Sequence, residues 1–249
     1  MASTQLASPI PPSVPEDSRL YAVGDIHGRT DLLTRMLARI AEDAAAGAPG
    51  RRVLIFLGDY VDRGPDSAGV LDILIDHIPD GFESVFLMGN HEQFMLDFLD
   101  KGIMGESWLS NGGRATFSSY GLDALGFFLG NRTLADLRAD LMEALPDRHR
   151  RFLDGLRPCH REGDYFFVHA GVRPGIPLER QDPFDLLWIR GLFLNSRQDF
   201  GAVVVHGHSI EPEPDVHANR IGIDTGAYQS GRLTCLVLEG TARRFIVAR

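Results

Sequence analysis

The chain is predicted to be an α/β protein. From Leu20 onward, apolar runs of strand length alternate with helical stripes in the order β-α-β-α-β. That order implies parallel strands joined by right-handed helical crossovers. Each of the first three runs also ends in a glycine followed by Asp or Asn, which is the sheet edge where open α/β proteins hold ligands. Strand signals return in the second half, so the carboxyl-terminal part reads as more β-rich.

Taken in order, residues 1–17 carry four prolines and three serines and little that packs, and are expected to be a disordered tail. Leu20–Val23 is a strand ending at Gly24-Asp25. Leu32, Leu33, Met36, Leu37 and Ile40 share one helical face, and the Gly- and Pro-containing stretch 44–50 stops that helix. Val53–Leu57 is a second strand, Val70, Leu71, Leu74, Ile75 and Ile78 a second helical stripe, and Val85–Met88 a third strand. Residues 93–160 are helical in pattern and include the Gly-rich stretch 110–121. Further strands are expected at Tyr165–His169, Ala202–Val205, Arg220–Ile223, Leu233–Leu238 and Arg244–Val247, with antiparallel pairing open. No internal repeat or interior linker interrupts residues 18–249, which are expected to form a single domain.

Composition excludes several classes. The 249 residues include 25 basic and 34 acidic side chains, a formal charge of −9, with 44% hydrophobic content. The acidic balance argues against non-specific binding to nucleic acid or anionic membranes, which needs clustered Lys and Arg. No window approaches the roughly 18 apolar residues of a membrane span, and the amino terminus lacks the basic start and apolar run of a secretory signal. Cys159 and Cys235 cannot build a disulfide framework, so a reducing cytoplasm is expected. Neither heptads nor a long exposed apolar run indicates an oligomer.

Five short segments place metal-competent residues at or just after strand ends: residues 24–28 (GDIHG), 58–64 (GDYVDRG), 89–92 (GNHE), 169–171 (HAG) and 206–208 (HGH). Glycines flank nearly all of them and permit sharp turns and close approach. A lone Gly-Asp after a strand is usually a turn, and a lone histidine is usually a packed or surface residue. Five strand ends carrying carboxylates, imidazoles and an amide oxygen are hard to attribute to chance. Mixed N/O donors without thiolate suit Mn, Fe, Zn or Ni.

These motifs, with the GHS at 207–209, resemble the calcineurin-like metallophosphoesterases, specifically their PPP-type (bacterial-type) serine/threonine phosphoprotein phosphatase branch. The resemblance runs from about residue 20 to the carboxyl terminus. It implies a central β-sandwich of mixed sheets flanked by helices in four α/β/β/α layers, with two divalent metal ions, Mn²⁺ foremost and Fe, Zn or Ni as alternatives, at one edge. It implies Asp25 and His27 as ligands of one metal, Asp59 as the bridge, and Asn90, His169 and His208 as ligands completing the pair. His206 is not a ligand in many relatives. A hydroxide between the two metals would attack phosphorus in line. His91 would be the general acid, Asp62 the carboxylate that orients it, and Arg63 and Arg190 the guanidiniums that grip phosphate. For Arg190 a surface salt bridge is the alternative.

The substrate implied is a phosphorylated protein or a small phosphoester. A symmetrical diadenosine-tetraphosphate hydrolase is the alternative within the superfamily, and a non-catalytic binding module is disfavoured because every expected ligand, acid and arginine is present. Other features carry plainer readings. Arg173 is either a cleft residue or a surface charge, and Asn111–Arg114 either a substrate loop or a turn. Asp224 and Tyr228 are read first as strand-end packing, and Glu92 as a charge favouring the amino-terminal end of a helix. Phe94, Leu96, Phe98 and Leu99 are read as core.

Overall fold

The computed structural model describes residues 11–249. Strands β1 (Ser18–Val23), β2 (Arg51–Phe56) and β3 (Glu83–Phe86) run parallel, with helices α1 (Thr30–Ala46) and α2 (Ser67–Asp76) as crossovers. A helical stretch follows: α3 (Asn90–Lys101), α4 (Gly105–Trp108), one wide π-type turn over Leu109–Gly113, α5 (Arg114–Ser119), α6 (Leu125–Phe128), α7 (Leu134–Ala144) and α8 (Asp147–Asp154). A second sheet begins with β4 (Cys159–Glu162) and β5 (Tyr165–Val168). After α9 (Pro183–Trp188) and α10 (Gly191–Leu194), it continues through β6 (Val203–His206), β7 (Asp215–Val216) and β8 (Arg220–Gly222). The chain then passes α11 (Ala227–Ser230) and returns to the first sheet as β9 (Leu233–Glu239) and β10 (Ala242–Ala248). The sheet orders are β10-β9-β1-β2-β3 and β4-β5-β6-β8-β7.

The strand period of two separates the layers. Leu20, Ala22, Val53, Ile55, Leu236 and Leu238 meet Tyr165, Phe167, Val203, Val205 and Ile221 in the core between the sheets. The alternate residues Tyr21, Val23, Leu54, Phe56, Cys235 and Val237 pack against the stripes of α1, α2 and α3. On the far side, Phe166, Val168 and Val204 pack with Leu186, Ile189 and Phe193. The result is the α/β/β/α sandwich of mixed sheets, and Phe94, Leu96, Phe98 and Leu99 are buried in its core.

Two expectations need correction. The second half mixes both pairings: β5–β6 is parallel, with α9 and α10 in its crossover, β6–β8 is parallel across the helix-free residues 207–219, and β4–β5 and β7–β8 are antiparallel. Strands β4 and β7 carried no signal, being short sheet-edge segments of largely polar residues. The expected tail over 1–17 also fails in its last residues. Val14 is buried between the sheets, its N–H donates to Gly240 O, and the Ser13 N–H donates to Asp164 Oδ2. Residues 1–10 of that expectation lie outside the described part. Among the described residues, no helix is long and apolar enough to cross a membrane.

Candidate metal centre

The loops after β1, β2, β3, β5 and β6 converge at one sheet edge. They bring together Asp25, His27, Asp59, Asp62, Asn90, His91, His169 and His208, all of them buried. The turns are tight: His27, Asp59, Asp62, Arg63 and His208 all adopt left-handed φ values between 47° and 74°. Such a conformation costs a non-glycine residue on the order of 1–3 kcal/mol. Backbone bonds between loops hold it, with the N–H groups of Ile26 and His27 donating to Asp59 O and that of Gly28 to Tyr60 O. Close approach requires glycine at two positions: a Cβ on Gly89 would strike Asp59 Oδ1, and one on Gly207 would strike Asp25 Oδ1.

Asp59 is the hub. Its Oδ2 lies 3.3 Å from His27 Nε2 and 4.0 Å from His91 Nε2, and its Oδ1 lies 3.5 Å from His169 Nε2. Two groups of donors share it, His27–Asp59–His91 and Asp59–His169–His208, and within each the ligand atoms lie within 4.8 Å of one another. Asn90 Oδ1 closes the second group, 2.8 Å from His169 Nε2 and 2.9 Å from His208 Nδ1.

These contacts suit cations. His169 Nδ1 is 2.9 Å from Leu57 O, which makes it the N–H donor and leaves Nε2 a lone pair facing the Asn90 oxygen. Likewise His27 Nδ1 donates to Val61 O, leaving Nε2 as an acceptor beside the Asp59 carboxylate. Buried acceptor-to-acceptor contacts of this kind are reconciled by a positive ion between them. His27, Asp59, His91, His169 and His208 could therefore hold metal.

Electrostatics agree. Burial, then the charges of Asp224 and Asp59, hold the Asp25 carboxyl well above the usual range. Burial also pushes Asp59 upward, but the electrostatic influence of the neighbouring His169, His91 and His27 outweighs it, leaving its pKa well below normal. Burial and the nearby His169 push His208 down to about 2. Asp25 lies outside both donor groups and accepts the His208 N–H at 3.1 Å, so its link to the centre is by charge and by that bond.

His91 turns its Nδ1 to Asp62 Oδ2 at 2.6 Å. Arg63 Nη1 donates to His27 Nε2 at 3.0 Å, so its guanidinium lies over the centre. Arg190 is exposed at the rim, with Nη1 3.5 Å from Ser209 Oγ, and adds positive charge near His208. His206 does not join the centre. Its ring packs edge-on against Phe193 at 5.0 Å and its Nε2 is buried without a partner, with burial pushing its pKa down to about 4. Arg173 pairs with Asp185 instead of lining the cleft.

Several residues act at the site beyond their expected roles. Tyr228 packs against His27 at 5.5 Å and lies under Arg63 at 5.0 Å. Asp224 is buried and coupled electrostatically to Asp25. Glu92 is buried and accepts the N–H groups of Asp59, Tyr60, Val61 and Gly89. Trp108, Thr116 and Ser67 surround Asp62. Trp108 and Thr116 lie 46 and 54 residues beyond Asp62, and no fixed spacing in the sequence points to them.

A buried carboxylate–imidazole basin at the edge of an α/β/β/α sandwich defines a metal-dependent hydrolase. The chain belongs to the calcineurin-like phosphoesterase family, whose pattern matches residues 18–231. It is 30% identical over 220 residues to serine/threonine-protein phosphatase 1 of Salmonella typhimurium, covering 86% of this chain and 89% of that one. It is 25% identical over 232 residues to an asymmetrical bis(5'-nucleosyl)-tetraphosphatase of Anoxybacillus flavithermus, covering 86% and 88%. In three dimensions it is similar to the crystal structure of a putative diadenosine tetraphosphatase, with a TM-score of 0.65, 22% identity, and coverage of 96% and 99%. The protein is a metallophosphoesterase.

Proposed function

We propose that this enzyme hydrolyses phosphoserine and phosphothreonine in proteins. The observation that carries the reading is the buried His91–Asp62 pair, 2.6 Å apart. A serine or threonine alkoxide is a strongly basic leaving group and needs a proton, whereas a nucleotide phosphate leaves readily without one. The Salmonella relative, aligned over most of both chains, supports the same substrate class.

Asp59 would be shared by two cations, with Asp25 and His27 on one and Asn90, His169 and His208 on the other. Bound there, two divalent ions, Mn²⁺ in this reading, would neutralise phosphoryl charge and lower the pKa of a water. Arg63 and Arg190 would bind the remaining phosphoryl oxygens and orient phosphorus. His91 would deliver its Nε2 proton to the leaving oxygen while Asp62 holds Nδ1 and stabilises the imidazolium. The unpaired Cys159 and Cys235 support a reducing cytoplasm as its location. Residues 18–249 would be one catalytic domain.

A second reading, hydrolysis of dinucleoside polyphosphates, is favoured by one feature. An open groove of about 590 Å³ begins at Arg63 and is lined by Gly112, Arg114 and Phe128. Arg114 lies 5.2 Å above the Phe128 ring. A guanidinium beside an exposed aromatic suits a second phosphate and a base.

The Mn²⁺-loaded protein is expected to hydrolyse p-nitrophenyl phosphate, and a chelator to abolish this. Comparing kcat/KM on phosphopeptides and on diadenosine tetraphosphate tests the substrate class, and a strong preference for the dinucleotide overturns it. His91→Asn is expected to lower kcat on phosphoserine peptides by about a hundredfold or more, and to spare the activated aryl phosphate. Equal losses on both would remove His91 as the acid.

A further inference from the structure

The helical stretch between β3 and β4 reaches the acid pair at one point. Asp62 is fully buried, and its carboxylate accepts three hydrogen bonds. His91 Nδ1 and Trp108 Nε1–H share Oδ2 at 2.6 and 2.8 Å, and Thr116 Oγ1–H donates to Oδ1 at 2.5 Å. The Asp62 N–H donates to Ser67 Oγ at 2.9 Å and lies 3.0 Å from Thr116 Oγ1. Ser67 Oγ and Thr116 Oγ1 are 3.0 Å apart, so the two hydroxyls form a short relay behind the carboxylate. Trp108 ends α4 and Thr116 lies in α5, so both donors belong to the helical stretch. The π-type turn between them adds a third link: Gly112 O accepts the Arg63 N–H at 3.2 Å.

Packing fixes the donors. Trp108 is fully buried against Phe98 and Phe117, each ring 5.5 Å away, and a Cβ on Gly113 would strike its indole. A buried indole N–H needs an acceptor, and here that acceptor is the carboxylate that also holds His91. Asp62 and Arg63 are consecutive non-glycine residues at φ 74° and 66°, so this turn does not hold itself. Without these donors the carboxyl could rotate and release the His91 ring.

We propose that Trp108 and Thr116 are positioning residues for the general acid, and that the helical stretch serves the reaction by clamping Asp62 and Arg63 from behind. This rests on the reading of His91 as the acid. Trp108→Phe keeps the ring and removes the N–H, Thr116→Val keeps the shape and removes the hydroxyl, and Thr116→Ser restores it.

In Mn²⁺-loaded protein, Trp108→Phe and Thr116→Val are each expected to lower kcat on a phosphoserine peptide by about tenfold, and on p-nitrophenyl phosphate by less than about threefold. KM should stay within about twofold of the parent, and Thr116→Ser should recover most of the loss. In metal-free protein, the indole N–H proton resonance that disappears in Trp108→Phe is expected to move in Asp62→Asn. Equal losses on the two substrates, no recovery in Thr116→Ser, or an unmoved indole resonance would each overturn the proposal. If Trp108→Phe fails to fold, the Thr116 pair decides. His91→Asn separates the two levels. A leaving-group-selective loss there but not in the Trp108 and Thr116 variants defeats only the positioning role, while no selectivity in His91→Asn defeats the acid reading beneath it.

Discussion

At the centre of the site one carboxylate belongs to both groups of donors. Asp59 touches His27, His91 and His169, and its N–H is held by Glu92. Asp25 stands at the margin, linked by charge and by the His208 N–H. Removing the shared group should therefore cost more than removing a peripheral one. Asp59→Asn is expected to lower kcat by at least about a hundredfold and to leave less metal per chain than Asp25→Asn. Metal analysis of both variants after identical loading checks this, and equal metal content in the two would contradict it. The convergence of these residues was legible because each stands within two residues of a glycine near a strand end, where turn chemistry and ligand chemistry coincide. Trp108 and Thr116 were not, since an indole and a hydroxyl inside an apolar segment read as packing until the atoms they face are known.

Among the elements, the amino-terminal end of α3 is a device that joins two strand-end turns. Glu92 Oε1 accepts from Tyr60 and Val61, and Oε2 from Asp59 and Gly89, so the β2 loop is tied to the β3 loop through one side chain. Burial and the Asp59 charge push its pKa up to about 8. Each oxygen nevertheless already accepts two N–H groups, which leaves no lone pair for a proton, so the carboxylate is ionised in this arrangement. Glu92→Gln would turn an NH₂ group against two of those donors. It is expected to destabilise the protein by about 2–3 kcal/mol and to lower activity through Asp59, as read by urea midpoint and kcat. Unchanged midpoints would show that the bonds are replaceable. The charge at a helix start was visible in the sequence, but its four backbone partners come from two loops separated by some 30 residues and depend on tertiary folding. The crossover topology was legible for β1 to β3 because apolar stripes with the helical period separate the strands. The polar edge strands β4 and β7 left no such trace.

Taking the molecule as a whole, the two sheets meet through an apolar core, and the site lies at the carboxyl edge of their parallel strands. The opposite edge is closed by a segment before β1. Val14 enters the core between the sheets while its N–H bonds Gly240 in the β9–β10 turn. Ser13 pairs with Asp164 in the β4–β5 turn through both its N–H and its carbonyl. This short stretch therefore fastens one sheet to the other at the end remote from the metal-competent residues. Its composition hid this: prolines and serines around a single valine read as an unpacked tail, and only the shape of the gap between the sheets assigns that valine a place. The separation of the two edges makes a testable distinction between stability and chemistry. Val14→Ala removes two buried methyl groups and is expected to cost about 1–2 kcal/mol. For a chain of this size that lowers the melting temperature by about 3–6 °C, with kcat and KM on p-nitrophenyl phosphate unchanged at a temperature well below melting. A fall in kcat at that temperature would show that the sheet-to-sheet fastening is transmitted to the site, whereas an unchanged melting temperature would show that the segment does not fasten the sheets in solution.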